Sequence, residues 1–275
     1  MKSKTKARPF LKWVGGKSQL LPEISKRMPS NYYRYFEPFV GGGAVFFSLQ
    51  KQDACLVDIN HELINTYRVV RDRVDELVSD LKHHVYDKTY YYNIRNVDRG
   101  PEYATWSEVQ KASRFIYLNK TCYNSLWRVN SREEFNTPIG RYTNPTILDE
   151  SNLRACSEVL QNGVELIAGD FHAIELVITS KDFVYFDPPY IPLTKTASFT
   201  GYSKGGFSED MHRELCSLCH RLNDRGVRFM LSNSSAPIVL ELYKPFNIEL
   251  VQARRAINSR GNQRGKISEV IVTNY

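Results

Sequence analysis

Seven short runs of β-branched and aromatic residues recur along the 275-residue chain and constrain its fold more than any other feature. In chain order they read YRYFEPF, ACLVDIN, GVELIAGDF, DFVYFDPPY, VRFMLSNSS, FNIELVQA and SEVIVTNY. Helical patterns lie between several of them, including residues 64–85 and a segment that Ser208 can cap and Gly226 can end. This alternation predicts an α/β sheet with parallel strands, which binds ligands beyond the carboxyl ends of the strands.

Residues from about 65 to 155 break the alternation. They are rich in Tyr, Asn and Arg and show helical or irregular patterns without a strand rhythm. We therefore predict one α/β domain formed by residues 1–64 and 156–275, interrupted by a mostly helical insertion at 65–155.

Charge and cysteine content narrow the possible partners and compartments. A net charge of +7 makes a polyanion a candidate partner. Five cysteines without a framework spacing argue against a disulfide-bonded secreted protein, and the Cys216–Cys219 pair lies in a helical pattern that favours packing. The scattered histidines predict no metal site, and no stretch is apolar enough for a signal peptide or a membrane span. We expect a cytoplasmic monomer.

The segment FLKWVGGK invites comparison with a phosphate-binding loop. Such a loop needs a glycine five residues before its final Gly-Lys-Ser, and Leu11 occupies that position here. A nucleotide hydrolase is therefore disfavoured. A tight turn between two apolar segments, or a different ligand, remains possible.

A second glycine turn follows the first predicted strand. Gly41 and Gly43 fit the start of a dinucleotide fingerprint, but Phe46 stands where its third glycine belongs. Asp58 ends the next strand, where an acid can accept hydrogen bonds from ribose hydroxyls. The pair of features suggests a nucleoside cofactor, and a plain turn beside a surface acid is the alternative.

The sharpest motif is Asp-Pro-Pro-Tyr at residues 187–190, after an apolar strand. The prolines end the strand because neither can donate to the sheet. The Asp187 carboxylate and the Pro188 carbonyl can accept both N–H groups of an exocyclic amine, while Tyr190 offers a stacking face. A strand-ending turn with an incidental acid and ring is the alternative.

The motifs FLKWVGGK, FEPFVGGG, VDIN and FDPPY occur in this order, with the helical segment between the last two. In these motifs, and over nearly its whole length, the chain resembles the Dam-type DNA adenine-N6 methyltransferases. The resemblance implies a Rossmann-like S-adenosylmethionine-dependent methyltransferase sheet with a DNA-recognition insertion. It also implies S-adenosylhomocysteine as product, no metal, and an adenine flipped out of duplex GATC.

The same resemblance assigns the site residues. The catalytic set comprises Asp187, Pro188, Pro189 and Tyr190. The cofactor-binding set comprises Trp13, Lys17, Phe39, Gly41, Gly43, Asp58, Asp170, Phe171 and Asp187. An ammonium such as that of Lys17 can pair with the methionyl carboxylate of the cofactor.

The residues expected to contact DNA lie in two motifs of the insertion and in the N-terminal segment. The resemblance assigns it to Lys12, Tyr123, Asn124, Leu126, Arg128, Pro138, Arg141 and Tyr142. Tyr123 suits an aromatic wedge, Arg128 can grip a guanine with two parallel bonds, and Lys12 matches an outer-guanine contact. Ser125 and Trp127 depart from the family pattern without changing any of these residues.

Two further segments have the composition for phosphate contacts. One follows residue 190 and carries Lys195 and Lys204, and it suits a loop that closes on DNA. The other lies between the last two strands and contains the basic residues Arg254, Arg255, Arg260, Arg264 and Lys266.

Rival functions remain open at this stage. Another amino methyltransferase, acting on cytosine N4, RNA adenine or a glutamine amide, would use the same two acceptors. A DNA-binding module with an inactive site is the rival from another class, although residues 187–190 are intact.

Overall fold

The computed structural model of the chain describes residues 5–193, 207–254 and 266–275. Its strands are β1 Tyr35–Pro38, β2 Ala54–Asp58, β3 Glu165–Ala168, β4 Phe183–Phe186, β5 Arg228–Ser234, β6 Asn247–Arg254 and β7 Lys266–Thr273. Its α-helices are α1 Leu21–Arg27, α2 Ala44–Leu49, α3 His61–Asp72, α4 Val74–Leu81, α5 Lys88–Asn96, α6 Glu108–Thr121, α7 Glu150–Leu160, α8 Glu209–Asp224 and α9 Pro237–Leu242. Each of the seven strand predictions is confirmed.

The strands form a seven-stranded sheet in the order β3-β2-β1-β4-β5-β7-β6. Strand β1 pairs in parallel with β2 and β4, and β4 pairs in parallel with β5. All residues of β1 and β4 are buried, as expected for central parallel strands. The predicted Rossmann-like α/β class is confirmed.

Strand β7 departs from the parallel arrangement that the sequence predicts. It pairs antiparallel with both β5 and β6. Only residues 255–265 separate β6 from β7 in the chain. A connection of that length is shorter than the crossover of a dozen or more residues that a parallel pair needs, whereas an antiparallel pair can form across it.

The helical predictions hold with one interruption. The pattern at 64–85 forms two helices, α3 and α4, because the backbone turns out of the helical region at Arg73 (φ −136°). Helix α8 begins at its predicted cap, where the Ser208 hydroxyl accepts a hydrogen bond from the Met211 N–H, and Gly226 follows its end with φ +70°. All five cysteines are free and buried, so Cys216 and Cys219 pack inside the protein as predicted.

The described residues group into two compact units. The first comprises the described residues of Met1–Gly16, Gly41–Gln52 and Asp58–Ala168, and the second those of Lys17–Val40, Asp53–Val57 and Gly169–Tyr275. In the first unit, helix α6 is fixed at its start by a capping box between Ser107 and Gln110. No helix in the described part of the chain is long and apolar enough to span a bilayer.

Residues 122–140 follow α6 and form an irregular hairpin, here called the reader hairpin. Two isolated antiparallel bridges hold it, Cys122 to Ile139 and Val129 to Phe135. Bridges of one residue pair leave no alternating pattern, so the sequence showed no strand signal in this segment.

Candidate active site

The residues Asp187–Tyr190, here called the DPPY corner, follow β4 directly. Because β4 and its parallel neighbours β1 and β5 run in one direction, the corner lies at the carboxyl ends of the central strands. This is the edge at which open α/β sheets bind ligands. The predicted strand-then-corner context is therefore present.

One oxygen of the Asp187 carboxylate is fully engaged. Its Oδ1 lies 2.8 Å from the Lys17 ammonium nitrogen and accepts a 3.0 Å hydrogen bond from the Ser232 hydroxyl. The Ser232 oxygen also lies 2.8 Å from the Tyr185 hydroxyl oxygen. No described residue donates to Asp187 Oδ2 or to the Pro188 carbonyl. These two acceptors are the pair that the sequence analysis assigns to an exocyclic amine.

Burial and pairing act in opposite directions on Asp187. Burial raises the pKa of this carboxyl above its ordinary value, and the charge and hydrogen bond of Lys17, with the hydrogen bond of Ser232, oppose that rise. The ammonium of Lys17 is itself buried, with 8% of its side chain exposed. The ammonium of Lys17 and the hydroxyl of Ser232 therefore favour the charged form of the carboxylate against the effect of burial.

Tyr190 is fixed at both its ring and its hydroxyl. The hydroxyl donates a 2.8 Å hydrogen bond to Glu269 Oε2 on β7, and the Lys17 ammonium lies 4.5 Å from the ring centroid. Burial raises the pKa of Glu269. The predicted stacking ring is thus held rigidly from a strand that sequence reasoning did not connect with it.

Two residues of β5 clamp the chain just after the corner. Asn233 Oδ1 accepts a 3.2 Å hydrogen bond from the Ile191 N–H, and the Ser234 hydroxyl donates a 2.5 Å hydrogen bond to the Ile191 carbonyl. Asn233 is fully buried, and its Nδ2 has no partner among the described residues. Neither residue is among those predicted from the sequence; the available signal was the polar Ser-Asn-Ser at the end of an apolar strand.

Helix α8 supplies one further support. Burial lowers the pKa of His212 to about 4, and an interaction with the backbone of Pro189 opposes that shift. His212 is 1% exposed. It therefore stays neutral at physiological pH beside the DPPY corner.

Two of the predicted cofactor residues stack on each other. The rings of Phe39 and Phe171 have centroids 5.6 Å apart at an interplanar angle of 27°, and the Phe207 ring meets Phe39 edge-on at 5.4 Å. Phe39 has φ +71°, a backbone conformation that costs about 1–3 kcal/mol for a non-glycine residue. Strain of this kind is typical of functional sites.

Asp170 has a different local role. It is exposed, and its side chain accepts a 2.9 Å hydrogen bond from the His172 N–H, so it caps the turn that carries Phe171. The structure thus brings Phe39 and Phe171 together and uses Asp170 as a cap.

The glycine turn and Asp58 meet in the first unit. Asp58 Oδ2 accepts a 3.0 Å hydrogen bond from the Gly41 N–H, and Oδ1 accepts one of 3.0 Å from Asn60. Burial raises the pKa of Asp58. Each carboxylate oxygen has more than one lone pair, so ribose hydroxyls can still bind.

The residue after Asp58 exposes an apolar side chain. Ile59 is 67% exposed, and it is not among the residues predicted from the sequence.

The glycines of this turn make room for Trp13. A Cβ on Gly41 would lie 2.6 Å from Trp13 Cδ1, and one on Gly42 would lie 3.0 Å from Trp13 Cβ. Gly41 and Gly43 also have positive φ, at +48° and +66°. Glycine at Gly41 is therefore required both by the backbone conformation and by the close approach of the indole ring.

The predicted DNA readers of the first unit are mostly exposed. Tyr123 is 53% exposed, and the next residue, Asn124, has φ +53°. Arg128 and Arg141 are exposed. The Asn136 side chain orients Arg128, accepting a 2.7 Å hydrogen bond from its Nε. Asn136 therefore fixes the orientation of the guanidinium through Nε, and the exposed side of the group can contact a ligand.

The remaining readers have structural contacts within the unit. Tyr142 donates a 3.0 Å hydrogen bond to the Cys122 carbonyl, and its ring centroid lies 5.7 Å from Lys12 Nζ. The Pro138 carbonyl accepts a 2.8 Å hydrogen bond from the Tyr123 N–H. Leu126 is half-buried, and its carbonyl accepts a 2.6 Å hydrogen bond from Thr137. These contacts fix the shape of the reader hairpin.

Trp127, one of the departures from the family pattern, packs rather than projects. Its ring stacks on Phe115 of α6 with centroids 3.7 Å apart and contacts Phe135 at 4.6 Å. The residue therefore anchors the reader hairpin to α6. The predicted phosphate contacts at Lys195, Lys204, Arg255, Arg260 and Arg264 lie outside the described residues, as do the side chains of Arg254 and Lys266.

A mostly parallel Rossmann-like sheet with the DPPY corner at its carboxyl edge is consistent with a methyltransferase fold. Residues 13–257 match the family of D12 class N6 adenine-specific DNA methyltransferases, and the chain belongs to that family. It is an enzyme that methylates adenine in DNA, as the resemblance predicted.

Full-length relatives agree with the family assignment. The chain is 46% identical to the type II methyltransferase M1.LlaDCHI of Lactococcus lactis subsp. cremoris, over 100% of this chain and 98% of the relative. It is 43% identical to the type II methyltransferase M.MjaIII of Methanocaldococcus jannaschii, over 98% and 99%. It is 34% identical to the DNA adenine methylase of Escherichia coli strain K12, over 97% and 95%.

Proposed function

We propose that this chain methylates adenine N6 within duplex GATC, that it uses S-adenosylmethionine as the donor, and that it flips the target base out of the helix. The observation that carries the proposal is the Asp187 carboxylate, whose Oδ1 is held by Lys17 and Ser232 while Oδ2 faces no described donor. Such an arrangement suits a ligand that brings its own N–H groups.

The chemistry follows from two fixed acceptors. Asp187 Oδ2 and the Pro188 carbonyl accept the two N–H protons of the adenine amine, which orients the nitrogen lone pair and increases its electron density. Tyr190, fixed by Glu269, stacks on the purine ring. Asp187 acts by position and charge and does not need to be a strong base.

The cofactor residues fit an adenosine moiety in their chemistry. Asp58 supplies an acceptor for ribose hydroxyls, while Phe39 and Phe171 supply flat apolar surface, and Ile59 adds exposed apolar surface to the predicted set. Trp13, Lys17, Gly41, Gly43, Asp170 and Asp187 complete the proposed set. When bound, S-adenosylmethionine supplies a methyl group on a positively charged sulfur.

Lys17 carries two roles in this proposal. Its ammonium pairs with Asp187 and lies over Tyr190. We propose that the same ammonium also attracts the methionyl carboxylate, since a buried cation with three donors can serve two anions. The residue would then align the cofactor with the amine acceptor.

Base flipping and sequence reading fall on residues 65–155, which we propose as the target-recognition insertion. The exposed Tyr123 suits a wedge between base pairs, and Asn124 suits the vacated position. Lys12, Arg128, Arg141 and Tyr142 are the proposed base readers, with Leu126 and Pro138 shaping the surface that carries them. The positive net charge favours duplex DNA as the partner.

A restriction assay tests the proposal directly. Plasmid DNA is treated with the purified protein and S-adenosylmethionine and then digested with an endonuclease that GATC methylation blocks. Full protection is expected, together with cutting in the sample that lacks the cofactor. Complete cutting after saturating enzyme and cofactor contradicts the GATC assignment.

We further propose that the protein acts as a monomer in the cytoplasm. A reducing cytoplasm suits its five free, buried cysteines.

A further inference from the structure

Lys12 has an exposed side chain but a firmly held backbone. Asn119, in the last turn of α6, accepts a 3.0 Å hydrogen bond from the Lys12 N–H through Oδ1 and donates one of 2.7 Å to the Lys12 carbonyl through Nδ2. Asn119 is fully buried. A single side chain therefore satisfies both backbone groups of the residue proposed to contact the outer guanine.

The same helix end carries the other readers. Helix α6 ends at Thr121, and the reader hairpin begins at the next residue. Tyr142, whose ring lies near the Lys12 ammonium, is tied to the Cys122 carbonyl. Asn119 thus fixes the distance between the backbone of Lys12 and the start of the segment that holds Tyr123 and Arg128.

A lysine side chain is long and flexible, so the accuracy of its contact depends on where its backbone is held. We infer that Asn119 is a specificity-positioning residue: it clamps the Lys12 peptide to α6 so that this lysine and the reader hairpin meet the same DNA site in register. The inference rests on the proposed GATC function and names a residue through which that specificity is set.

The chain contains a matched control for this clamp. Asn152, in the first turn of α7, accepts a 3.0 Å hydrogen bond from the Arg8 N–H and donates one of 3.0 Å to the Arg8 carbonyl. It is 2% exposed, as buried as Asn119. Asn152 therefore makes the same two bonds to the same N-terminal segment, four residues before Lys12 and at a residue outside the proposed readers.

Loss of the Asn119 clamp should leave the segment roughly in place. Trp13 still stacks on Phe115 of α6, with ring centroids 6.2 Å apart, and still packs against Gly41 and Gly42. Asn119→Ala is therefore expected to fold while its Lys12 peptide gains freedom.

The test measures kcat/KM on a GATC duplex and on a duplex with the outer G·C pair replaced. Asn119→Ala should reduce the ratio of the two values about tenfold, the loss expected for one base contact. Lys12→Ala should reduce it similarly, and the double variant should lose no more than either single variant. Asn152→Ala should keep the wild-type ratio. If Asn119→Ala does not fold, Asn119→Ser, which keeps a small uncharged group that can donate and accept, should still reduce the ratio.

The outcomes separate this inference from the proposed function. A wild-type protein with no preference for GATC overturns the proposed function. A wild type that prefers GATC, combined with an Asn119→Ala or Asn119→Ser variant of unchanged ratio, overturns the positioning role alone. Equal losses in Asn119→Ala and Asn152→Ala, or losses that add to that of Lys12→Ala, also overturn it, because they indicate a general structural effect.

Discussion

The DPPY corner and the reader hairpin are built in opposite ways. At the corner, Asp187 is tied to the buried Lys17 and Ser232, Tyr190 is tied to Glu269, and both backbone groups of Ile191 are clamped. In the hairpin, Tyr123 and Arg128 are exposed; the backbone of Tyr123 is bonded to Pro138, and Arg128 is held at its Nε by Asn136. A bond-forming step needs a geometry set in advance, whereas reading a duplex needs side chains that are free to meet it.

The largest effect is expected from a substitution in the DPPY corner. Asp187→Asn keeps the size of the side chain, but its amide presents one acceptor instead of a charged carboxylate beside Lys17. Methyl transfer should fall about 10³-fold or more, within the range of a lost electrostatic contact to the reacting group. Duplex affinity, measured by gel shift, should stay within a few-fold of wild type. Retention of more than a tenth of the turnover would refute the role of Asp187.

The next prediction concerns the helix that carries the reader hairpin. His84 Nε2 lies 3.0 Å from the Ser113 hydroxyl of α6, its ring stacks on Tyr117, and burial lowers its pKa to about 4. The unfolded chain binds this proton near pH 6.5, so the contribution of neutral His84 to folding is present above pH 6.5 and is lost as the pH falls toward 4. The loss is about 3 kcal/mol.

Urea unfolding between pH 4.5 and 7.5 measures that loss. His84→Gln should show a flatter pH dependence of the free energy of unfolding than wild type. Identical slopes for the two proteins would show that folding does not lower the pKa of His84.

A smaller effect is expected from the readers. Arg128→Ala should lower discrimination at one base pair by about 1–3 kcal/mol while turnover on DNA already bound changes little. Arg132→Ala, exposed in the same hairpin, should weaken every duplex alike. The measurement is kcat/KM on cognate and single-substituted duplexes. A uniform loss for Arg128→Ala would assign it to the DNA backbone and remove the contrast between the two regions.

The smallest effect is expected from Ser232, which hydrogen-bonds to Asp187 in the DPPY corner. The Ser232 hydrogen bond opposes the burial that raises the pKa of Asp187, so Ser232→Ala should raise this pKa further. The acid limb of the pH profile of kcat/KM should then move to higher pH, with only a few-fold loss near neutrality. Tyr185→Phe, which removes the partner of Ser232 but not the bond to Asp187, should move it less. An unmoved limb in Ser232→Ala would show that Asp187 does not set it.

The structure also shows which features could be predicted from the sequence and which could not. The seven strands, helix α8 and the strand-then-corner context of Asp187 followed from local patterns, because periodicity and proline act within a few residues. Other features join residues that are far apart in the chain: the antiparallel pairing of β7, the Lys17–Asp187 ion pair and the Asn233–Ile191 hydrogen bond. No local signal encodes such contacts.

The most direct test of the account is a structure of the protein with a GATC duplex and an unreactive analogue of S-adenosylmethionine. The account predicts an adenine outside the helix, its N6 about 3 Å from both Asp187 Oδ2 and the Pro188 carbonyl, and Lys17 still paired with Oδ1. An adenine amine bound away from residues 187–190, or an Oδ2 that faces no N–H group in the complex, would contradict it.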